Sequence, residues 1–247
     1  FTRWNQGPLR SYLVEITGRA LRYDDPLTGR PVVEVIRDAA GQKGTGRWSV
    51  VEAVRLGQSA NMIEAAVGAR SWSSEVSVRG VAEEVLGGDR GALSLSEAQL
   101  SEAFLAARIL SYAQGFRILA AASEEYAWDL NFARIAEIWR AGCIIRSALL
   151  DDISEAFRGD LPGGQLILAP AMAARLQVTV ASLRAVVAAA VSQGHAVPAM
   201  AAALSWYDTM RQGRGTANII QAQRDFFGRH GFERLDRPGK HHGPWWD

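Results

Sequence analysis

The sequence is short of the features that mark several protein classes. It has one cysteine, Cys143, so no internal disulfide can form and a reducing, cytoplasmic location is expected. Its 27 basic and 26 acidic residues leave a net charge of only +1, which gives no field for a nucleic-acid partner or an anionic membrane. Neither GxxxxGK[ST] nor GxGxxG occurs, so no nucleotide fingerprint is present. Any anion site must therefore be built from local groups.

Long apolar runs and clusters of metal ligands are scarce as well. The most apolar stretch, 168–191, contains Arg175 and Arg184, which would be costly in lipid, so we expect a core helix and no membrane partner. His241 and His242 are adjacent, but no other ligand stands at metal-site spacing. No metal site is therefore expected.

Helical periodicity runs through most of the chain. Apolar residues at i, i+4, i+7 and i+11 predict a helix over 4–23. Ser96 and Gln99 predict a capping box for a helix of about 30 residues, and a second long helix is expected at about 171–191. Further helices are expected over Val32–Ala40, from a Thr45 cap to Leu56, and from about Ala60 onward. Beyond the first long helix, one is expected to start after an Asn131 cap, another to end near Phe157, and a last one to span Pro198–Met210.

These patterns predict an all-α fold with two long central helices and an extended C-terminal tail. We expect one large multi-helix domain over 1–230 and a tail over 231–247. The tail lacks periodicity and contains Trp245 and Trp246, which would be a hydrophobic liability in water. We therefore expect it to pack on a surface, such as that of another subunit.

Two cations in the first half of the chain are suited to bind an anion. Lys43 lies in the loop 41–46, Gly-Gln-Lys-Gly-Thr-Gly, next to the positive end of a helix that Thr45 can cap. Arg70 lies on the apolar face of the helix that begins near Ala60. A solvated lysine in a glycine-rich loop, and an arginine whose stem covers apolar surface, are the structural alternatives.

A third candidate region is the strip Ala217–His230. Helical spacing puts Ile220, Arg224 and Phe227 in line, which would draw the guanidinium partly out of water. Gly228 is expected to stop the helix in the left-handed conformation, so that the chain turns and carries His230 back to the same end. Cations that merely complement the helix dipole are the alternative explanation.

Four blocks of the sequence carry a specific resemblance to a known family. They are Trp4–Asn5 with Ser11–Thr17, Ala40–Trp48, Ser111–Phe116 with Ile138–Arg146, and Ala217–His230. Together they resemble the C-terminal all-helical domain of 6-phosphogluconate dehydrogenases. The resemblance implies a homodimer in which Lys43 and Arg70 bind substrate, while Arg224 and His230 reach into the pocket of the partner subunit. Two departures are Gly68, where the family usually has an aromatic residue, and His-Gly-Pro-Trp at 242–245 in place of His-Thr-x-Trp.

The resemblance also implies a reaction. The family oxidises 6-phosphogluconate with NADP or NAD and decarboxylates the product to ribulose 5-phosphate, using a lysine base, a glutamate acid and no metal. In the family those two groups and the dinucleotide-binding domain lie upstream of the Trp-Asn block, and residues 1–8 show neither an initiator Met nor a signal segment. We therefore expect a truncated or processed chain with no catalytic residue, no bound cofactor and no dehydrogenase activity of its own. The competing hypothesis is a non-catalytic dimerisation or sugar-phosphate-binding module.

Overall fold

The computed structural model describes residues 1–246 and confirms the all-α prediction, with one small hairpin in addition. The last residue of the predicted tail, Asp247, lies outside the described residues. Among the described residues the α-helices are α1 Tyr12–Ala20, α2 Val32–Val35, α3 Thr45–Arg55, α4 Asn61–Ser74, α5 Val76–Leu86, α6 Glu97–Glu125, α7 Phe132–Ile138, α8 Leu149–Arg158, α9 Pro170–Ser192, α10 Pro198–Met210 and α11 Ala217–Gly228. The strands are β1 Phe232–Glu233 and β2 Lys240–His241, which pair antiparallel.

The two long helices, α6 and α9, pack along each other and form the core. The predicted capping box starts α6: the Ser96 hydroxyl accepts from Gln99 N–H, and the Gln99 side chain accepts from Ser96 N–H. Ile109 and Leu110 of α6 are fully buried. Several alanines of α6 are buried beside them, which lets the neighbouring helices approach closely.

Helix α9 is long and apolar enough to cross a membrane by length and composition alone. Its buried side chains include Met172, Leu176 and Leu183, and α6 packs against it. Core helices of folded domains pass the same composition test. One face of α9 is therefore packed in the core, whereas Val178 and Val191 are exposed.

A buried glutamine ties α4 to the core helix α6. Gln114 is fully buried; its side-chain carbonyl accepts from Met62 N–H at 3.2 Å, and its amide donates to Asn61 Oδ1 at 2.6 Å. Both partners lie in the first turn of α4, where helical N–H groups have no intrahelical acceptor. The contact positions α4, the helix that carries Arg70.

The chain divides into two compact units, Phe1–Ser205 and Trp206–Asp247, of which the second is described to residue 246. The division falls inside α10. In the second unit α11 packs on β1, and the hairpin register pairs Phe232 with His241. The division into a helical domain 1–230 and a tail 231–247 stays a prediction.

Two predicted helix boundaries are wrong. The helix predicted over 4–23 is interrupted: a short 3-10 turn at Trp4–Gln6 is followed by α1, whose N-cap Ser11 accepts from Val14 N–H. The helix predicted over Val32–Ala40 ends at Val35, because Ile36 has extended backbone. In both places a local cap or an extended residue overrides the apolar period.

Candidate functional site

The loop that carries Lys43 is fastened to α4. The Gln42 amide donates to Val67 O at 3.1 Å and to Ser71 Oγ at 2.9 Å. Ala40 N–H donates to Ser73 Oγ at 2.9 Å. Three hydrogen bonds therefore fix the position of the loop on α4.

The predicted Thr45 cap is wrong. The N-cap of α3 is Gly44, with φ of 102°, and Thr45 is the first helical residue. Glycine adopts this left-handed conformation without strain, whereas a side chain there would be strained. The first N–H groups of α3 thus follow directly after Lys43, so that backbone donors and the ammonium lie at the same helix end.

Lys43 lines an open cavity of about 450 Å³ between the loop and α4. The second cation in its lining is Arg47, in the first turn of α3, which the sequence analysis did not single out. Its closeness in sequence to Lys43, at the predicted start of a helix, was the signal that could have identified it. The cavity is thus lined by two cations and by the Glu75 carboxylate.

Arg70 contacts the same loop through Gly41. Its guanidinium donates to Gly41 O at 2.5 Å. A guanidinium has five N–H donors, so this bond leaves others for a ligand. The structure therefore brings the Arg70 guanidinium to the loop that carries Lys43.

In the second unit, Arg224 lies on the outer face of α11. Its Nη1 donates to Gln221 Oε1 at 3.1 Å, on the same helix. Ile220 and Phe227, which flank it along the helix, are 54% and 74% exposed. The predicted alignment of Ile220, Arg224 and Phe227 exists, but in the single chain the apolar neighbours of the guanidinium lie open to solvent.

His230 lies in the tight turn after α11, and the expected role of Gly228 is wrong. Gly228 is the last helical residue, and the left-handed residue is Arg229, with φ of 51°. Gly228 instead leaves room for the His230 ring, since a Cβ there would lie 2.7 Å from that ring and the ring would have to shift. The imidazole also meets the Phe227 ring edge-on, with centroids 5.8 Å apart. The turn holds His230 against the end of α11, as predicted.

A buried carboxylate beside Arg224 escaped the sequence analysis. Asp225 is fully buried and accepts four hydrogen bonds, from Gly231 N–H, His242 Nδ1, Gly243 N–H and Trp245 Nε1, over 2.6–2.9 Å. Burial raises the pKa of this carboxyl, but the four donors outweigh burial and hold its pKa well below the usual range. Asp225 is therefore ionised at neutral pH.

The chemistry that these groups offer is anion binding. A lysine ammonium supplies a compact charge, an arginine supplies a planar fork, and an imidazole donates or accepts according to its protonation. Among residues 1–246, no group of three or more His, Cys, Asp or Glu side chains is arranged to hold a metal ion. The candidate residues are therefore Lys43 and Arg70 in the first unit, and Arg224 and His230 in the second, each described within its own unit.

Comparisons with known proteins agree on one family. The family model described as "6-phosphogluconate dehydrogenase, C-terminal domain" matches residues 1–245. The decarboxylating 6-phosphogluconate dehydrogenase of Treponema pallidum is 44% identical over 96% of this chain and 51% of its own length. The NAD(+)-dependent enzyme of Bacillus subtilis is 40% identical over 99% of this chain and 53% of its own length.

The same likeness extends to a solved structure. The 6-phosphogluconate dehydrogenase of Plasmodium falciparum superposes with a TM-score of 0.94 at 36% identity, covering 99% of this chain and 54% of that one. That enzyme was solved in its apo form, with its cofactor NADP+ and with its substrate 6-phosphogluconate. The present chain spans about half the length of the curated relatives that it matches.

Proposed function

The chain belongs to the 6-phosphogluconate dehydrogenase C-terminal domain family, and from that premise we propose that it forms the substrate-phosphate-binding and dimerisation part of such an enzyme. The complete reaction would be oxidation of 6-phosphogluconate by NADP or NAD with decarboxylation to ribulose 5-phosphate. The observation that carries the proposal is the match over residues 1–245, within which Lys43, Arg70, Arg224 and His230 all fall.

The first half-site is Lys43 with Arg70. A sugar phosphate carries close to two negative charges at neutral pH and offers several acceptor oxygens, so it suits a lysine beside an arginine. The loop is held to α4 by Gln42, and the guanidinium of Arg70 already touches it at Gly41. A ligand phosphate in the cavity beside Lys43 would also meet the N–H groups that open α3.

The second half-site is Arg224 with His230, and we assign it to the other copy of the chain in a homodimer. Ile219, Ile220, Phe226 and Phe227 are each more than half exposed, although they belong to one helix. A second copy packed on α11 would bury this area and bring Arg224 with it. Because such an interface is symmetric, each copy would complete the site of the other.

The two lysines of the chain allow a direct test of the first half-site. Lys43 and Lys240 are the only lysines in the sequence, so an amine-reactive acylating reagent has two side-chain targets, which mass spectrometry can score separately. We expect 6-phosphogluconate to slow acylation of Lys43 and to leave Lys240 unaffected. Equal rates at Lys43 with and without millimolar 6-phosphogluconate would contradict the proposal.

A further inference from the structure

The geometry points to Asp225 as the residue that positions His230 for the phosphate, a role that rests on the proposed function. Asp225 itself faces no ligand, because it is fully buried. It would act through the turn and the tail that it binds. The role is that of a positioning residue.

Asp225 binds the chain on both sides of His230. Arg229 N–H donates to the backbone carbonyl of Asp225 at 2.8 Å. Gly231 N–H donates to the side-chain Oδ1 of Asp225 at 2.9 Å. His230 lies between these two donors, so one residue fixes both peptide groups that flank it.

The carboxylate of Asp225 also binds the C-terminal tail. His242 Nδ1 lies 2.6 Å from Oδ1, while Gly243 N–H and Trp245 Nε1 donate to Oδ2 at 2.9 and 2.7 Å. A carboxylate has about four acceptor positions, and here each oxygen receives two donors. The turn that carries His230 and the tail are thus joined through a single side chain.

The four hydrogen bonds that Asp225 accepts also affect its neighbour Arg224. Asp225 directly follows Arg224 in the sequence, and a carboxylate with a free oxygen would compete with phosphate for a cation. Burial and four donors remove it from that competition. Arg224 instead bonds a neutral amide, that of Gln221, which a phosphate can displace.

Two glycines permit the arrangement. Gly231 has φ of 72°, a left-handed conformation that aims its N–H back at Asp225. At Gly243 an added Cβ would overlap the Trp245 ring, so a side chain there would keep the indole from Asp225. The sequence therefore supplies small residues at two of the places where the carboxylate is approached by backbone.

The test compares substitutions on both sides of the contact. Asp225→Asn keeps the shape but replaces two acceptor positions by an NH2 group that faces N–H donors. His242→Phe removes one donor, whereas His242→Asn can present an amide N–H where Nδ1 stood. His242 is exposed, so its two variants are expected to fold.

Two readouts are taken on the full chain with ¹⁵N-labelled histidine. The chain has four histidines, so the ring signals of His230 and His242 can be assigned by substitution. We expect wild-type His242 to show a proton fixed on Nδ1, and Asp225→Asn and His242→Phe to shift the His230 signals. Calorimetric titration with 6-phosphogluconate should show affinity weakened about tenfold by each of these variants and restored by His242→Asn.

The inference and the proposed function can fail separately. If wild type does not bind 6-phosphogluconate but Asp225→Asn still shifts His230, the positioning stands and the proposed ligand falls. If Asp225→Asn is folded by circular dichroism and leaves the His230 signals unchanged, the positioning is refuted. If Asp225→Asn does not fold, the two His242 variants decide. Equal effects of His242→Phe and His242→Asn on the His230 signals and on the affinity would overturn the inference.

Discussion

Truncation of Phe227 is expected to weaken the proposed homodimer. Phe227 is 74% exposed in the single chain, the largest exposed fraction among the large apolar side chains of α11. Its ring makes a T-shaped contact with the His230 imidazole, with centroids 5.8 Å apart. If the interface covers α11, Phe227→Ala removes apolar area that only the partner can bury.

The magnitude follows from the exposed area. Full burial of a Phe side chain is worth about 1.5–3 kcal/mol, so the exposed three quarters of Phe227 corresponds to about 2 kcal/mol for each protomer. A twofold interface contains the residue twice, which gives about 4 kcal/mol, or about 1,000-fold in the dimer Kd. Phe227→Leu keeps most of the apolar area and should cost about tenfold or less.

Sedimentation velocity from nanomolar to tens of micromolar chain measures this Kd. Phosphate ligands are omitted, because a change in His230, which contacts Phe227, could otherwise alter the dimer Kd through ligand binding. Wild type that is monomeric at micromolar concentration would refute the dimer. A Phe227→Ala Kd within about threefold of wild type would show that α11 lies outside the interface.

Three further predictions follow from the described contacts. In crystals soaked with phosphate, Lys43 Nζ and the Arg70 guanidinium should contact one anion; side chains that point to opposite surfaces would refute their pairing. Gln114→Leu should lower the free energy of unfolding by about 1–3 kcal/mol, because Met62 N–H loses its buried acceptor; urea titration that matches wild type would contradict this. Because the pKa of Asp225 is lowered in the folded chain, its ionised form stabilises the fold. This stabilisation is complete above the pKa of the unfolded chain, about 4, and is lost as the pH falls below that pKa. Indole N–H signals followed from pH 7 to pH 2 should therefore show Trp245 detaching only in acid, and detachment near pH 6 would be inconsistent with four donors on the carboxylate.

The sequence could predict the elements whose signals are local. Ser96 and Gln99 are three residues apart, and both bonds of the predicted capping box exist. Asn131 likewise caps α7 through Arg134 N–H. Such caps depend on neighbouring residues only, which is why a single sequence reveals them.

Features that depend on distant partners escaped the sequence analysis. Asp225 looks like an ordinary helical aspartate, because its four donors lie 6 to 20 positions further along the chain, at Gly231, His242, Gly243 and Trp245. The hairpin was missed because its strands are two residues each, too short for a period. Gly228 was assigned to the wrong role, because the ring that packs on it is visible only once the turn is built.

The central claim is that two copies of the chain share each anion site, and mixing two inactive variants tests it most directly. Lys43→Met and Arg224→Ala each remove one half-site from every site of their own homodimers. After the two chains are mixed and allowed to exchange, half of the dimers are mixed, and each mixed dimer regains one intact site only if Lys43 and Arg224 act from different chains. The account predicts that calorimetry with 6-phosphogluconate then finds about one quarter of the wild-type number of tight sites. No recovered sites, although subunit exchange is confirmed, would place both residues in the same chain's site and contradict the account.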